Sequence, residues 1–192
     1  LGALMKVPVC GMDPSMRSWG IAEAMLDLET GVLDTPIFSL VQPKDLQGKQ
    51  VRQNSSDLHL TTQLAEVILD KARQAKVIFV EVPVGSQSAR AMASYGFCVG
   101  LLGAVRAEGI PFIEVTPTEV KKVFTGKADA TKSEMIEKAL STYPEAEFPM
   151  HNGKVSAAKA EHVADALAAI YAGVRTPAFQ NLMRLLAVSK SN

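Results

Sequence analysis

Apolar residues occur along this chain in two patterns, and each pattern predicts one type of element. Short, nearly continuous apolar runs such as residues 77–83 are typical of strands buried on both faces. Residues 7–13 form a similar run that ends in Asp-Pro, which stops a strand at a turn. Partial alternation on both sides of Thr30-Gly31 predicts a hairpin. The predicted strands are residues 7–13, 19–31, 32–43, 77–83 and 111–115.

The second pattern repeats apolar residues every three to four positions, as helices with one buried face do. Residues 55–76 show this stripe and begin with Ser55, which predicts a serine cap. Thr116 and Thr131 each stand three residues before a glutamate, the capping box that begins a helix. Residues 145–154 fit neither pattern and predict a loop. The predicted helices are residues 55–76 and 88–109, two helices that begin after Thr116 and Thr131, residues 159–173, and a last segment that is either an amphipathic helix or a loosely held tail.

Three strands, a helix, a strand, a helix, a strand and then helices follow one another along the chain. A β-hairpin meander followed by βαβ crossovers predicts an α/β fold with a mixed central β-sheet flanked by α-helices. The 192 residues suffice for one core of ordinary size and are too few for two. We therefore expect a single domain over residues 1–192, with its core at residues 6–173 and a C-terminal tail at residues 174–192.

Composition and charge exclude only a few classes of function. Lysine plus arginine and aspartate plus glutamate number 20 each, so any surface for nucleic acid must be a local one. Cys10 and Cys98 lie in apolar runs without metal-site or disulfide spacing, which favours a reducing, cytoplasmic setting. The longest apolar stretch, residues 95–105, is too short to span a bilayer. We expect no signal segment and no membrane partner.

Three glycines interrupt the predicted helix at residues 88–109. Gly96, Gly100 and Gly103 lie on or near one side of it, and each costs the helix about 1 kcal/mol relative to alanine. Close approach of another backbone would compensate, either inside the subunit or across a dimer. The glycine-bearing side of this helix is therefore the predicted dimer contact.

Four ionisable residues stand among apolar neighbours and form the candidate site. Asp13 ends the first predicted strand and Glu81 lies near the end of the fourth, where sites in open α/β sheets gather. His162 and Asp165 stand three residues apart on one face of an alanine-rich helix. Buried charges cost several kcal/mol unless they are paired or bind a metal. Such a set suits a hard cation with oxygen ligands, and two ions roughly 4 Å apart can activate water against a phosphodiester.

Each of these residues also has an ordinary structural explanation. Asp13 would fit a turn before Pro14, and Glu81 would fit an edge strand. His162 would fit the core as a buried histidine, and Asp165 would fit an exposed helical position. The sequence does not exclude these explanations residue by residue. Two further carboxylates, Glu114 and Glu161, are expected to be solvated or structural, and His59 and His151 are expected at the surface.

Four segments together resemble RuvC-type Holliday junction resolvases of the ribonuclease-H-like superfamily. GMDPSMRSWGIA (residues 11–22) is similar to their first-strand signature, in which an aspartate closes the strand. VEVP carries Glu81 where they have a second acid. TPTEVKKVFTG and ATKSEMIEKAL resemble the basic segment that follows, and HVADALA (residues 162–168) resembles their closing helix. The resemblance spans residues 7–173 with the segments in the right order.

The resemblance implies a ribonuclease-H-like fold, a homodimer and symmetric, Mg²⁺-dependent nicking of four-way DNA junctions. Asp13, Glu81, His162 and Asp165 would be the catalytic group and would hold two Mg²⁺ ions, for which Mn²⁺ is expected to substitute. Asp13 would bridge the ions, and hydrolysis would leave a 5′-phosphate and a 3′-hydroxyl. The setting would be recombination and repair in a bacterial cell or the processing of phage DNA.

Lysines and one arginine are the candidate DNA contacts. Lys121 and Lys132 fall where the resembled family has lysines near the DNA backbone, and Lys122 and Arg90 belong to the same basic set. Solvated helix faces balanced by nearby glutamates would explain these residues equally well. If they bind DNA, we expect salt-sensitive affinity for phosphates rather than base reading.

One position departs from the resembled family. Many of its members have an aromatic residue after the second acid, and this aromatic stacks at the junction centre. This chain has the residues Val82, Pro83 and Val84 there. Tyr95 and Phe97 are the candidates to replace the aromatic.

Three other functions fit parts of the pattern. The first hairpin also resembles the phosphate-binding hairpin of sugar kinases and actin-like ATPases, although 192 residues leave little room for their second lobe. A non-catalytic junction-binding protein would keep the fold without the cutting. A less selective nuclease of the same fold would cut branched DNA or RNA–DNA hybrids.

Overall fold

The computed structural model describes residues 6–48 and 51–189 of the chain. Within these ranges the elements follow the predicted order, with one additional short hairpin. The strands are β1 Lys6–Asp13, β2 Trp19–Asp27, β3 Ile37–Val41, β4 Val77–Glu81, β5 Phe112–Val115, β6 Met150–His151 and β7 Lys154–Val155. The helices are α1 Gln53–Gln74, α2 Ala89–Ala107, α3 Pro117–Thr125, α4 Lys132–Thr142, α5 Ala157–Gly173 and α6 Pro177–Ser189.

A five-stranded sheet in the order β3-β2-β1-β4-β5 forms the centre of the fold. β2 is antiparallel to β1 and β3, whereas β1, β4 and β5 are parallel to one another. The predicted mixed sheet is thus confirmed, because antiparallel neighbours need only a turn and parallel neighbours need a helical crossover. Met12 pairs with Val80, so β1 and β4 end side by side at Asp13 and Glu81.

Helices cover both faces of the sheet, and strand alternation assigns each side chain to one face. Val9 and Phe79 pack with residues of α3, α4 and α5, while their strand neighbours pack with α1 and α2. Asp13 follows Val9 by four positions and Glu81 follows Phe79 by two. Both carboxylates therefore belong to the sheet face that α5 covers.

α5 lies against the sheet with unusually close backbone contacts. A Cβ atom on Gly11 of β1 would overlap the carbonyl oxygen of Ala166, and one on Gly20 of β2 would overlap the carbonyl oxygen of His162. At the other end of the helix, a Cβ atom on Gly173 would overlap the ring of Phe79. Glycine at these positions lets α5 sit directly on the strands, and this contact fixes where its polar residues stand.

Three local predictions differ from the structure. α1 begins at Gln53 after Arg52 and has no side-chain cap, so the predicted Ser55 cap is wrong. β2 ends at Asp27, whose buried carboxylate accepts the N–H groups of Glu29 and Thr30 and so turns the chain. Residues 145–154 are not simply a loop, since β6 and part of β7 lie there. The two capping boxes are confirmed, and the last segment is the helix α6.

The glycines of α2 make no close contact within the subunit. Nothing in the described part of the chain lies within 4 Å of a Cβ atom built on Gly96, Gly100 or Gly103. Of the two compensations that the sequence allows, close packing inside the subunit is therefore not formed. Among the residues that the structure describes, no helix is both long and apolar enough to cross a membrane.

Candidate active site

The site begins with two carboxylates at one edge of the sheet. Asp13 is the last residue of β1 and Glu81 is the last residue of β4, and their strands are paired neighbours. Both side chains are half-buried on the α5 side of the sheet. This placement agrees with the prediction that acids ending adjacent strands meet at one edge.

α5 brings the other two predicted residues to the same place. Gly20 lets the helix backbone at His162 approach β2, and a hydrogen bond then joins His162 Nδ1 to Asp13 Oδ2 across 2.8 Å. The two side chains are only 22% and 17% exposed. Asp165 stands one helical turn further along the same face and is also half-buried. The structure thus brings all four predicted side chains together.

Burial and mutual repulsion shift the pKa values of the carboxyl groups at this site. Burial, followed by the charge of Asp13, raises the pKa of Glu81 to about 7, and Lys121 acts weakly against this. Burial and the charges of Asp13 and Glu81 raise the pKa of Asp165 to about 8. Burial also raises the pKa of Asp13, although its hydrogen bond with His162 opposes the shift. Such an excess of buried negative charge is what a bound cation would relieve.

The surroundings of His162 raise the pKa of its imidazole. The hydrogen bond with Asp13 is the largest influence that raises the pKa of the imidazole, and burial opposes it. The charges of Asp13, Glu161 and Asp165 raise it further. The protonated imidazole is therefore favoured here more than in a free histidine.

Glu161 and Lys132 form a contact that the sequence did not predict. Lys132 is the first residue of α4, and its Nζ lies 2.7 Å from Glu161 Oε2. The other oxygen of Glu161 lies 3.6 Å from His162 Nε2, too far for a hydrogen bond. Glu161 is therefore a structural partner of Lys132, and it holds that ammonium group at the rim of the carboxylate cluster. The pairing depends on how α4 docks on α5, so no local sequence signal reveals it.

The other predicted DNA contacts lie in different environments. Lys121, on α3, is close enough to Glu81 to influence its pKa, and Lys122 is exposed beside it. Arg90 makes two short contacts, 2.7 and 2.8 Å, with the buried carboxylate of Asp57 and so joins α2 to α1. A guanidinium group engaged in this way has a structural role, and a DNA contact by Arg90 stays a prediction.

The structure shows the surroundings of three remaining residues that the sequence singled out. Tyr95 lines an open cavity of about 240 Å³ between α2 and the loop that follows Asp13, together with Met16, Ser94 and Cys98. Phe97 instead packs against the core between the sheet, α1 and α2. Tyr95 is therefore the better placed of the two aromatic residues to meet a ligand. Glu114 pairs with Arg106 at 2.9 Å on the surface, in line with its expected structural role.

The donor set suits a divalent cation by its chemistry. Within the described residues, no group of three His, Cys, Asp or Glu side chains is arranged so that it could already hold a metal ion. The charge of Asp13 nevertheless raises the pKa of both Glu81 and Asp165, so the three carboxylates lie near one another, and oxygen donors of this kind are those that Mg²⁺ prefers. Side-chain rotation about χ angles would be needed to bring their oxygens onto one ion.

We expect the metal-free protein to lose stability as the pH rises from about 5 to about 8. A carboxyl group whose pKa is higher in the folded than in the unfolded chain makes the folded state bind more protons between the two values. Glu81 and Asp165, with pKa values of about 7 and about 8, both satisfy this condition. Thermal unfolding in EDTA across this range measures the effect.

Mg²⁺ should raise the unfolding temperature more at pH 8 than at pH 5, because protonated carboxyl groups bind it poorly. Asp165→Asn, which cannot ionise, is the matched control and should reduce the metal-free pH dependence to the part that Glu81 contributes. An unfolding temperature that rises with pH in EDTA, or that ignores Mg²⁺ at pH 8, would contradict this description of the site.

The structure is similar to two solved structures of RuvC from Thermus thermophilus. One is RuvC in complex with a Holliday junction substrate, which is 17% identical, with 91% of this chain and 96% of that chain covered and a TM-score of 0.63. The other RuvC structure is 18% identical, with 92% and 96% covered and a TM-score of 0.61. No protein-family model matches the chain, and no curated protein matches its sequence. The likeness confirms the fold that the sequence resemblance predicted: this chain has the ribonuclease-H-like fold of RuvC.

Proposed function

We propose that this protein is a metal-dependent endodeoxyribonuclease that nicks four-way DNA junctions symmetrically, in recombination and repair or in phage DNA processing. The observation that carries the proposal is the meeting of Asp13, Glu81, His162 and Asp165 at one edge of the sheet in a RuvC-like fold. The structure of RuvC with a Holliday junction substrate supports the choice of substrate by analogy of fold.

Two Mg²⁺ ions, or Mn²⁺ in their place, would be held by Asp13, Glu81, Asp165 and His162. Bound there, they would supply a nucleophilic water and stabilise the charge that develops on the phosphate. The chain itself contributes the position of the ligands, since β1, β4 and α5 fix all four backbones. It also fixes the position of the His162 imidazole, whose Nδ1 lies 2.8 Å from Asp13 Oδ2. If His162 is not a metal ligand, its imidazole would be the group that passes a proton to the leaving oxygen, because a histidine that binds a metal has no proton on the binding nitrogen.

Lysines around the acidic centre would bind the DNA backbone. Lys121 and Lys132 lie on two helices beside the site, and the charge of each lowers the pKa of a site carboxyl group, Glu81 and Asp13 respectively. Lys122 is exposed next to Lys121. A ring of ammonium groups around buried carboxylates would attract phosphates and keep them near the site despite a net charge of zero.

We also propose that the protein is a homodimer that uses the glycine-bearing side of α2. Met92 and Val99 are 46% and 47% exposed on the same side as Gly96, Gly100 and Gly103. The glycines weaken the helix without serving any close contact in the described subunit. A second copy that packs closely on this side would compensate for the cost of the three glycines. Two copies would also place two active sites on one junction.

Gly100→Glu should weaken this dimer at least tenfold and leave the fold intact. The new side chain meets no atom within 4 Å in the subunit, but it would place a charge in the dimer contact. Sedimentation velocity over a concentration series measures the change. Ser141→Glu, on an exposed position of α4, is the control and should dimerise like the wild type. A wild type that stays monomeric at every concentration would refute the proposed interface.

A panel of labelled substrates tests the proposed activity and separates it from its rivals. Four-way junctions, linear duplex, and RNA–DNA hybrids are incubated with Mg²⁺ or with EDTA. Cuts in the junction alone, lost with EDTA, are expected. Equal cutting of hybrids or duplex would indicate a less selective nuclease, and junction binding without cuts in any metal would indicate a non-catalytic binding protein. Stabilisation by ATP without nuclease activity would favour an actin-like ATPase.

A further inference from the structure

A short β-hairpin directly precedes α5, where the sequence predicted a loop. Residues Met150 and His151 pair with Val155 and Lys154. Asn152 and Gly153 connect them with φ values of 51° and 75°. Positive φ at both central residues is what the tightest two-residue hairpin turn requires, and Asn-Gly is the pair that adopts it most readily. Residues 150–155 therefore form a regular β-hairpin with Asn152 and Gly153 at its tip.

This hairpin lies at the same edge of the sheet as the candidate active site. Asp13 meets His162 while Gly11 lies against Ala166, so α5 runs antiparallel to β1 and its beginning extends past the end of that strand. Ser156 alone separates the hairpin from α5. His162 comes five residues after the first residue of the helix, roughly 8 Å along its axis. The hairpin thus stands near the carboxylate cluster and outward from it.

The charge of this segment differs from that of the whole chain. Residues 148–160 contain Lys154, Lys159 and His151 but no aspartate or glutamate, in a chain with zero net charge. His151 and Lys154 are both exposed, and Met150 beside them is 54% exposed. In the described part of the chain neither of the two polar side chains has an ion-pair partner, in contrast to Lys127 and Lys132. Lys154 can therefore bind an external anion without giving up a partner.

We infer that the 150–155 hairpin binds the sugar-phosphate backbone of a DNA arm next to the cut strand. The inference rests on the proposed function, and it adds a contact that the four site residues and the lysines of α3 and α4 do not provide. Lys154 binds a phosphate, and the amide and imidazole at the tip lie along the same backbone. A paired hairpin with a tight turn suits this role, because a contact that is already folded loses less conformational freedom when the DNA binds than an unpaired loop does.

The double variant His151→Gln with Lys154→Gln tests the inference and leaves the Asn-Gly turn in place. Junction binding is measured in EDTA, where no cutting occurs, over a series of salt concentrations. We expect a several-fold weaker affinity and a salt dependence reduced by about one unit of slope, as the loss of one phosphate contact predicts. Lys76→Gln is the matched control, since Lys76 is exposed and precedes β4 at the opposite edge of the sheet.

Cutting at saturating junction with Mg²⁺ gives an independent readout. The double variant should cut as fast as the wild type once it is saturated, because the hairpin positions no reacting group. The hairpin inference alone would be overturned if the wild type cuts junctions and the double variant binds them with the same affinity and the same salt dependence as the wild type. A wild type that neither binds nor cuts junctions would overturn the proposed function together with it. An unchanged unfolding temperature of the double variant shows that its fold is retained.

Discussion

Asp13→Asn should abolish junction cutting and leave junction binding in place. The asparagine keeps the shape of the side chain and an oxygen that can accept from His162, which lies 2.8 Å away. It loses the charge that would hold the metal ions between β1, β4 and α5. Because a catalytic ion supplies several kcal/mol and each 1.4 kcal/mol is a factor of ten in rate, we expect a loss of at least about a thousandfold. Single-turnover nicking of a labelled junction measures it.

The same variant should not be less stable than the wild type at pH 8 without metal. The charge of Asp13 is one cause of the raised pKa of both Glu81 and Asp165, so its removal relieves repulsion. Asp70→Asn, at an exposed position of α1 on the other side of the sheet, is the control and should cut normally. Cutting by Asp13→Asn at more than a few per cent of the wild-type rate would show that the carboxylate does not hold the ions.

Gly20→Ala should impair both folding stability and cutting, although glycine has no functional group. The added methyl would overlap the carbonyl oxygen of His162 and must push α5 away from β2. Overpacking of this kind costs about 1–3 kcal/mol, and each kcal/mol lowers the unfolding temperature of a chain this size by roughly 2–4 °C. A shift of about 1 Å in a catalytic group costs up to about a hundredfold in rate. Thermal unfolding and single-turnover nicking measure the two effects.

Ala22→Gly is the matched control for Gly20→Ala. It lies two residues along the same face of β2 and also packs in the core against α5, but it removes a methyl group instead of adding one. We expect it to cost about 0.5–1 kcal/mol of stability and to leave the rate of cutting nearly unchanged. Equal losses of rate in both variants would mean that the position of His162 does not depend on Gly20.

Most of the fold could be predicted because hydrophobic periodicity and the capping boxes are local signals. The strand order follows from the connections, since a meander leads to antiparallel pairs and helical crossovers lead to parallel ones. The 150–155 hairpin escaped prediction because its strands have only two residues each, too few to show alternation. Asn152-Gly153 was the available signal, and it is the pair that marks such a turn.

The residues of the candidate site could be predicted where an ionisable side chain stands among apolar neighbours in the sequence. An acid at the end of an apolar strand, or a polar pair on an alanine-rich helix, stands out in the sequence itself, as Asp13 and His162 do. Contacts between distant elements do not stand out. The pairing of Lys132 with Glu161 and the engagement of Arg90 by Asp57 depend on how helices dock on one another.

Two groups of glycines also show that the sequence does not reveal contacts between distant elements. The sequence drew attention to Gly96, Gly100 and Gly103, because glycine inside a helix is costly. Close approach within the subunit occurs elsewhere, where Gly11 and Gly20 meet the backbone of α5. Glycine in a strand has many explanations, and only the docked helix shows that these two positions have no room for a side chain.

A supercoiled plasmid with an extruded cruciform, whose base is a four-way junction, tests the central claim most directly. Two paired cuts across the junction convert the plasmid to the linear form, whereas a single cut gives only the nicked circle. We predict linear product with Mg²⁺, none with EDTA, and none with Asp165→Asn, which removes a carboxylate of the candidate site. Plasmid that stays supercoiled with the wild-type protein in both Mg²⁺ and Mn²⁺ would contradict the assignment of this site to junction cutting.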